Sequence, residues 1–85
     1  MILKDAKDSP ELLELQRQVR QKVIDQLVAK RKAKKMTQSD ISKITGIQRP
    51  NISRMESGVY NPTLDTLVRI ADSMGLKVHV TFSEK

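Results

Sequence analysis

Residues 36–58 read MTQSDISKITGIQRPNISRMESG, two short helical segments on either side of a glycine. Thr37-Gln38-Ser39-Asp40 fits a capping box, in which an N-cap threonine is answered three residues later by an acid that reaches back to the cap amide. A short helix follows with Ile41 and Ile44 facing inward, and Gly46 stands where the helix end wants a left-handed residue. Ile47 bridges to the next start. Gln48-Arg49-Pro50-Asn51 opens a second short helix, where Pro50 is tolerated because first-turn amides have no intrahelical acceptor. Ile52 and Met55 give this helix an inward face, its opposite face is polar, and Gly58 ends it.

Upstream, Ser9-Pro10-Glu11 reads as a helix start with Ser9 as N-cap, and neither Gly nor Pro interrupts residues 11–35. Apolar residues recur at Leu12, Leu15, Val19, Val23 and Leu27, with Ile24 and Val28 widening the stripe. That spacing predicts one long amphipathic helix of about 36 Å, more than so small a domain needs for its own core. Residues 1–8 are charged and aperiodic, which predicts a frayed tail. Downstream, Thr63 caps a fourth helix carrying Leu64, Leu67, Val68, Ile70, Ala71 and Met74, closed by Gly75. The period then becomes alternating: Leu76, Val78, Val80 and Phe82 on one side, Lys77, His79 and Thr81 on the other. This predicts a half-buried β-strand, which must pair with something outside an otherwise helical chain.

The totals fit one small domain of 85 residues without cysteine, so neither disulfides nor thiolate metal sites hold it together. Subunit association is expected to supply part of its stability. No apolar run is long enough for a membrane span or a signal peptide, so a cytoplasmic protein is expected, with no membrane partner. The net charge of +6 is uneven: residues 28–58 hold eight Lys/Arg against Asp40 and Glu56, while residues 1–27 carry five of each sign. A basic block of this kind suits a polyanion. The lone histidine His79 finds no nucleophile to serve, Met36, Met55 and Met74 read as core filling, and Tyr60 and Phe82 are too few to stack single-stranded bases. No catalysis, cofactor or metal is expected.

Two short helices joined by a Gly-containing turn, the second with a polar outer face, describe a helix-turn-helix. From Leu27 to Met74 the chain resembles the Cro/C1-type (Xre-like) helix-turn-helix family. The resemblance is carried by Arg31, Met36-Thr37-Gln38, Ile41, Gly46-Ile47, Ile52-Ser53-Arg54-Met55-Glu56-Ser57-Gly58, Pro62-Thr63-Leu64 and Ile70-Ala71. It implies a mainly α, lambda-repressor-like bundle of about four helices, here with a long N-terminal helix and one C-terminal strand. The expected division is a tail and helical extension over 1–26, a DNA-binding domain over 27–75, and a dimerisation strand and tail over 76–85.

The resemblance also implies roles. Gln38 contacts a phosphate and buttresses the recognition helix, while Thr37, Ser57 and Asn61 meet the DNA backbone. Gln48, Arg49, Asn51 and Arg54 face the major groove, and Arg31 and Glu56 form an internal ion pair. The chemistry agrees, since Arg49 and Arg54 can each donate bidentately to guanine, and Asn51 can pair with adenine or bond the helix terminus. Lys43 and the lysines among residues 30–35 suit phosphates. Two positions depart from the family pattern. Pro50 replaces a polar base-reading residue and can only touch a thymine methyl, and Lys35 replaces a frequent glycine, implying that helix one ends without a left-handed residue.

The segment from Pro62 to Phe82 further resembles helix-turn-helix antitoxins of bacterial toxin–antitoxin modules, whose C-terminal strand pairs with its symmetry mate. That implies a homodimer joined through Leu76, Val78, Val80 and Phe82, bound to a palindromic double-stranded operator as an autorepressor. It also implies a cognate toxin contacting the N-terminal extension, where Leu12, Leu15 and Val19 are the candidate surface. A stand-alone phage or mobile-element repressor, and a protein-interaction module with a degenerate helix-turn-helix, are the other readings. Gln38, Arg49 and Arg54 argue against the last.

Overall fold

The computed structural model describes residues 9–85, so the expected tail over residues 1–8 lies outside the described residues. Four helices follow in order: α1 (Pro10–Ala33), α2 (Gln38–Thr45), α3 (Arg49–Glu56) and α4 (Leu64–Ser73). Three of the four starts follow from a side-chain cap. The Ser9 hydroxyl accepts the Leu12 amide at 3.3 Å, with Pro10 in the first turn. Thr37 and Asp40 close a reciprocal capping box, and Thr63 accepts from the Thr66 amide.

Three of the four helix ends share one device. Past α1, α3 and α4 the chain turns left-handed at Lys35, Gly58 and Gly75, and paired backbone bonds close a Schellman turn behind each. After α1 these bonds are Lys35 N–H to Lys32 O at 2.9 Å and Met36 N–H to Arg31 O at 3.1 Å. The expectation that helix one ends without a left-handed residue is therefore corrected: Lys35 adopts φ 57°. Two carbonyls of the last turn need these donors, and satisfying them outweighs the Cβ clash of roughly 1–2 kcal/mol.

Helix α2 packs on α3 and α4, and α1 packs on α3. Ile41, Ile52, Met55, Ile70 and Met74 form the core, flanked by Leu27, Met36, Ile47, Tyr60 and Leu76. Ile24 of α1 and Ala71 of α4 are also buried. Ile44 is not inward as expected but 60% exposed, because it lies at the edge of a two-turn helix whose neighbours cover only the Ile41 side. Leu64 and Val68 of α4 and Leu15 and Val19 of α1 are likewise about half exposed. The apolar stripes of α1 and α4 are wider than the core of one chain can cover. The expected boundary at residues 26 and 27 falls inside the unbroken α1.

Among the described residues there is no strand, which corrects the expected C-terminal β-strand. After the Leu76 amide, bonded to Ala71 O at 2.9 Å, residues 77–85 make no backbone hydrogen bond to another described residue. Alternation decides which face of a strand is apolar, but a ladder needs a second extended segment, and the rest of the described chain is helix and turn. No described helix is long and apolar enough to cross a membrane.

The left-handed lysine gives a stability test. Replacing Lys35 by glycine removes the Cβ clash while leaving the Schellman bonds in place. A gain of about 1 kcal/mol is expected, a rise of roughly 4–8 °C in Tm on thermal unfolding followed by circular dichroism.

Candidate nucleic-acid interface

The outer face of α3 is held in place by one cluster of polar groups. The Arg31 guanidinium, near the end of α1, donates from Nε to Glu56 Oε2 at 2.7 Å and from Nη2 to Glu56 Oε1 at 2.8 Å. Its third nitrogen, Nη1, donates to the Met36 carbonyl at 2.8 Å. Gln38, the first residue of α2, donates from Nε2 to Glu56 Oε1 at 3.0 Å. One carboxylate thus joins the end of α1, the start of α2 and the last turn of α3. Both charged side chains are only 12% exposed, so the pair is largely shielded from competing water. Burial by itself pushes the Glu56 carboxyl up. The hydrogen bonds from Arg31 and Gln38, with the charges of Arg31 and Lys32, outweigh burial and hold it below the ordinary glutamate value. The hydrogen bonds of Arg31 to Glu56 raise the Arg31 pKa, against a smaller opposing effect of burial.

The turn between α2 and α3 is tied as firmly. Ser42 Oγ donates to the Ile47 carbonyl at 2.6 Å, and Thr45 Oγ1 both donates to Ile41 O and accepts the Ile47 amide. Gly46 takes φ 79° at the helix end. With Ile52 and Met55 buried beneath it, α3 turns Gln48, Arg49, Pro50, Asn51 and Arg54 into solvent. Gln48 is the N-cap but makes no side-chain cap bond, and Arg54 reaches Asn51 Oδ1 only at 3.5 Å. Arg49, Arg54 and Gln48 are therefore not consumed by the fold.

Beside α3 lies a shallow basin bordered by Arg31, Lys32, Lys35, Thr37, Gln38 and Arg49. Two of the expected DNA-backbone residues, Thr37 and Gln38, border it together with Arg49, although the Thr37 hydroxyl also serves the capping box. Ser57 is exposed at the other end of α3 and bonds the Arg54 carbonyl at 3.0 Å. Asn61 is not brought to this basin; it borders a separate apolar groove with Leu15, Val19 and Leu67. Lys32 and Lys35 were legible only as members of a basic run, and the fold singles them out by turning them toward Arg49. The arrangement can bind an anionic backbone in the basin while presenting planar hydrogen-bond donors to base edges from α3.

A family model described as Helix-turn-helix matches residues 27–80. The chain belongs to the helix-turn-helix family. Two curated relatives match it. An uncharacterized HTH-type transcriptional regulator of Sinorhizobium fredii is 36% identical over 56 residues, covering 66% of this chain and 29% of that protein. An uncharacterized HTH-type transcriptional regulator of Haemophilus influenzae is 30% identical over 53 residues, covering 62% of this chain and 54% of that protein. The match thus spans less than a third of the first relative and about half of the second. No solved structure matches the chain significantly. In helix-turn-helix terms α2 and α3 are the two motif helices, and Arg31, Gln38 and Glu56 clamp them to α1.

Removing the charge from the clamp should loosen it. Glu56→Gln leaves the shielded Arg31 cation facing an amide, and a loss of about 2–3 kcal/mol in urea unfolding at neutral pH is expected. Because the folded pKa of Glu56 lies below its ordinary value of 4.5, the carboxylate's contribution is complete above that pH and fades as the pH falls through the lower folded value. The stability gap between the parent chain and Glu56→Gln should therefore narrow on acidification below about pH 4.5. A gap that stays constant into acid would mean that Glu56 is not the group that matters.

Proposed function

We propose that this chain is a transcriptional regulator that binds double-stranded DNA sequence-specifically as a homodimer on a palindromic operator, the autorepressing antitoxin of a type II toxin–antitoxin module. The observation that carries DNA binding is the face of α3, where Arg49, Asn51 and Arg54 stand exposed on a helix immobilised from behind by Glu56. Side chains held exposed on a rigid helix are what base readout in the major groove requires. The basin of Lys32, Lys35, Gln38 and Arg49 supplies the sequence-independent attraction to phosphate.

Two copies related by a two-fold axis would set two recognition helices about 34 Å apart, one DNA turn, and so read an inverted repeat. The segment with Leu76, Val78, Val80 and Phe82 is the join between them. The antitoxin reading draws on the surplus half of α1. Leu15 and Val19 remain exposed there beside a groove that also takes in Asn61 and Pro62, a surface of the kind a protein partner covers, with Leu12 partly buried alongside. A small toxin encoded beside this gene is the partner this reading requires.

Gel shift on the DNA upstream of the protein's own gene tests the reading. The parent chain should bind specifically, and affinity should fall at least about tenfold between 50 and 200 mM salt as counterions are released. Arg49→Ala combined with Arg54→Ala should cost about 2–6 kcal/mol of discrimination, enough to abolish the specific complex while thermal unfolding is unchanged. Specific binding that survives the double substitution would overturn the assignment of α3 as the reading helix.

A further inference from the structure

The C-terminal segment forms one wall of an apolar groove of about 390 Å³ whose other walls are α1 and α4. Val23 and Leu27 line it from α1, Leu64 and Leu67 from α4, and Val78 and Val80 from the segment. The chain's own side chains do not fill it, since Leu64 is 57% exposed and Val80 59% exposed. Small-molecule sites run from about 300 to 1,000 Å³, and a cavity of roughly 150 Å³ already holds a benzene ring. With three walls built, the remaining space suits an aliphatic chain of roughly eight to ten carbons.

The charged members of the groove share one sign. Lys30, in the last turn of α1, borders it together with Lys77 and His79, and no Asp or Glu does. We propose that the groove binds a small amphipathic carboxylate, a straight-chain fatty acid of about eight to ten carbons. The tail lies among the aliphatic side chains of the three walls, and the head group meets Lys30 and Lys77 at the rim. Two ammonium groups beside a hydrocarbon-lined space match a ligand that is apolar over most of its length and anionic at one end. An amine of the same length would bring like charge to the same place. The groove shares no lining residue with the basin beside α3, so this site goes beyond DNA binding and does not depend on it.

Sodium octanoate, titrated into the full chain and followed by methyl NMR signals, is the probe. The signals of Val23, Leu27, Leu64 and Leu67 should shift together and saturate at one ligand per chain. Each methylene withdrawn from water tightens binding by up to about fourfold, so butanoate should bind at least about tenfold more weakly. Octylammonium, with the same tail and the opposite charge, should bind at least about fivefold more weakly than octanoate. Lys30→Glu combined with Lys77→Glu should invert that preference. Lys22→Glu combined with Lys43→Glu removes the same net charge away from the groove and should leave the preference as in the parent. All four lysines are exposed, so both variants should keep the parent's helical circular dichroism. Shifts that never saturate, equal binding of octanoate and octylammonium, or equal effects of the two double variants would each overturn the proposal. So would an octanoate affinity that falls as protein concentration rises, which would mean that a second copy takes the groove instead.

Discussion

The carboxylate of Glu56 is the junction on which the molecule's geometry depends. Three helices meet at it, and each contributes what the others lack: α1 a cation, α2 an amide donor, α3 the acceptor. Helices of eight residues are too short to persist in water unaided. The orientation of α3 therefore comes from what grips it, namely Ile52 and Met55 on one side and Glu56 at its end. An apolar core resists separation but tolerates sliding. A two-pronged guanidinium–carboxylate bond has a preferred plane and direction, so it fixes the rotation that packing leaves free.

This division of labour explains how much could be read before the fold was known. Local signals were complete in themselves. Thr37 with Asp40, Pro10 after Ser9, and the glycines at 46, 58 and 75 each act through neighbours a few residues away, and the four helices fall where these residues put them. Signals that depend on distant partners were legible only in part. Nothing in the spacing of Arg31 and Glu56, 25 residues apart, marks them as partners; the family resemblance did. Lys35 misled because a missing glycine was taken for a missing left-handed turn, whereas the carbonyls at the end of α1 demand that turn whatever residue stands there.

The apolar pattern was the least reliable guide to burial. Periodicity correctly marked a stripe on α1 and another on α4, but a stripe records only that something covers it. Ile24, Ile70 and Ala71 are covered by this chain, while Leu15, Val19, Leu64 and Val68 are not. The C-terminal alternation behaves in the same way: the pattern is present, but among the described residues it forms no strand. Pattern therefore exceeded fold in the same sense at three places, each on the side of the molecule that α1, α4 and the last ten residues share.

The two sides of α3 share no residue. Ile52, Met55 and Glu56 belong to the scaffold; Arg49, Asn51 and Arg54 project outward and carry none of the core. Substitutions at those three positions are thus almost free of consequence for folding, since exposed helix sites seldom change stability by more than about 0.5 kcal/mol. On the function proposed above, in evolutionary terms the address can be rewritten while the envelope stays intact. A lineage carrying this fold could drift to new DNA targets one exposed side chain at a time without ever passing through an unfolded ancestor.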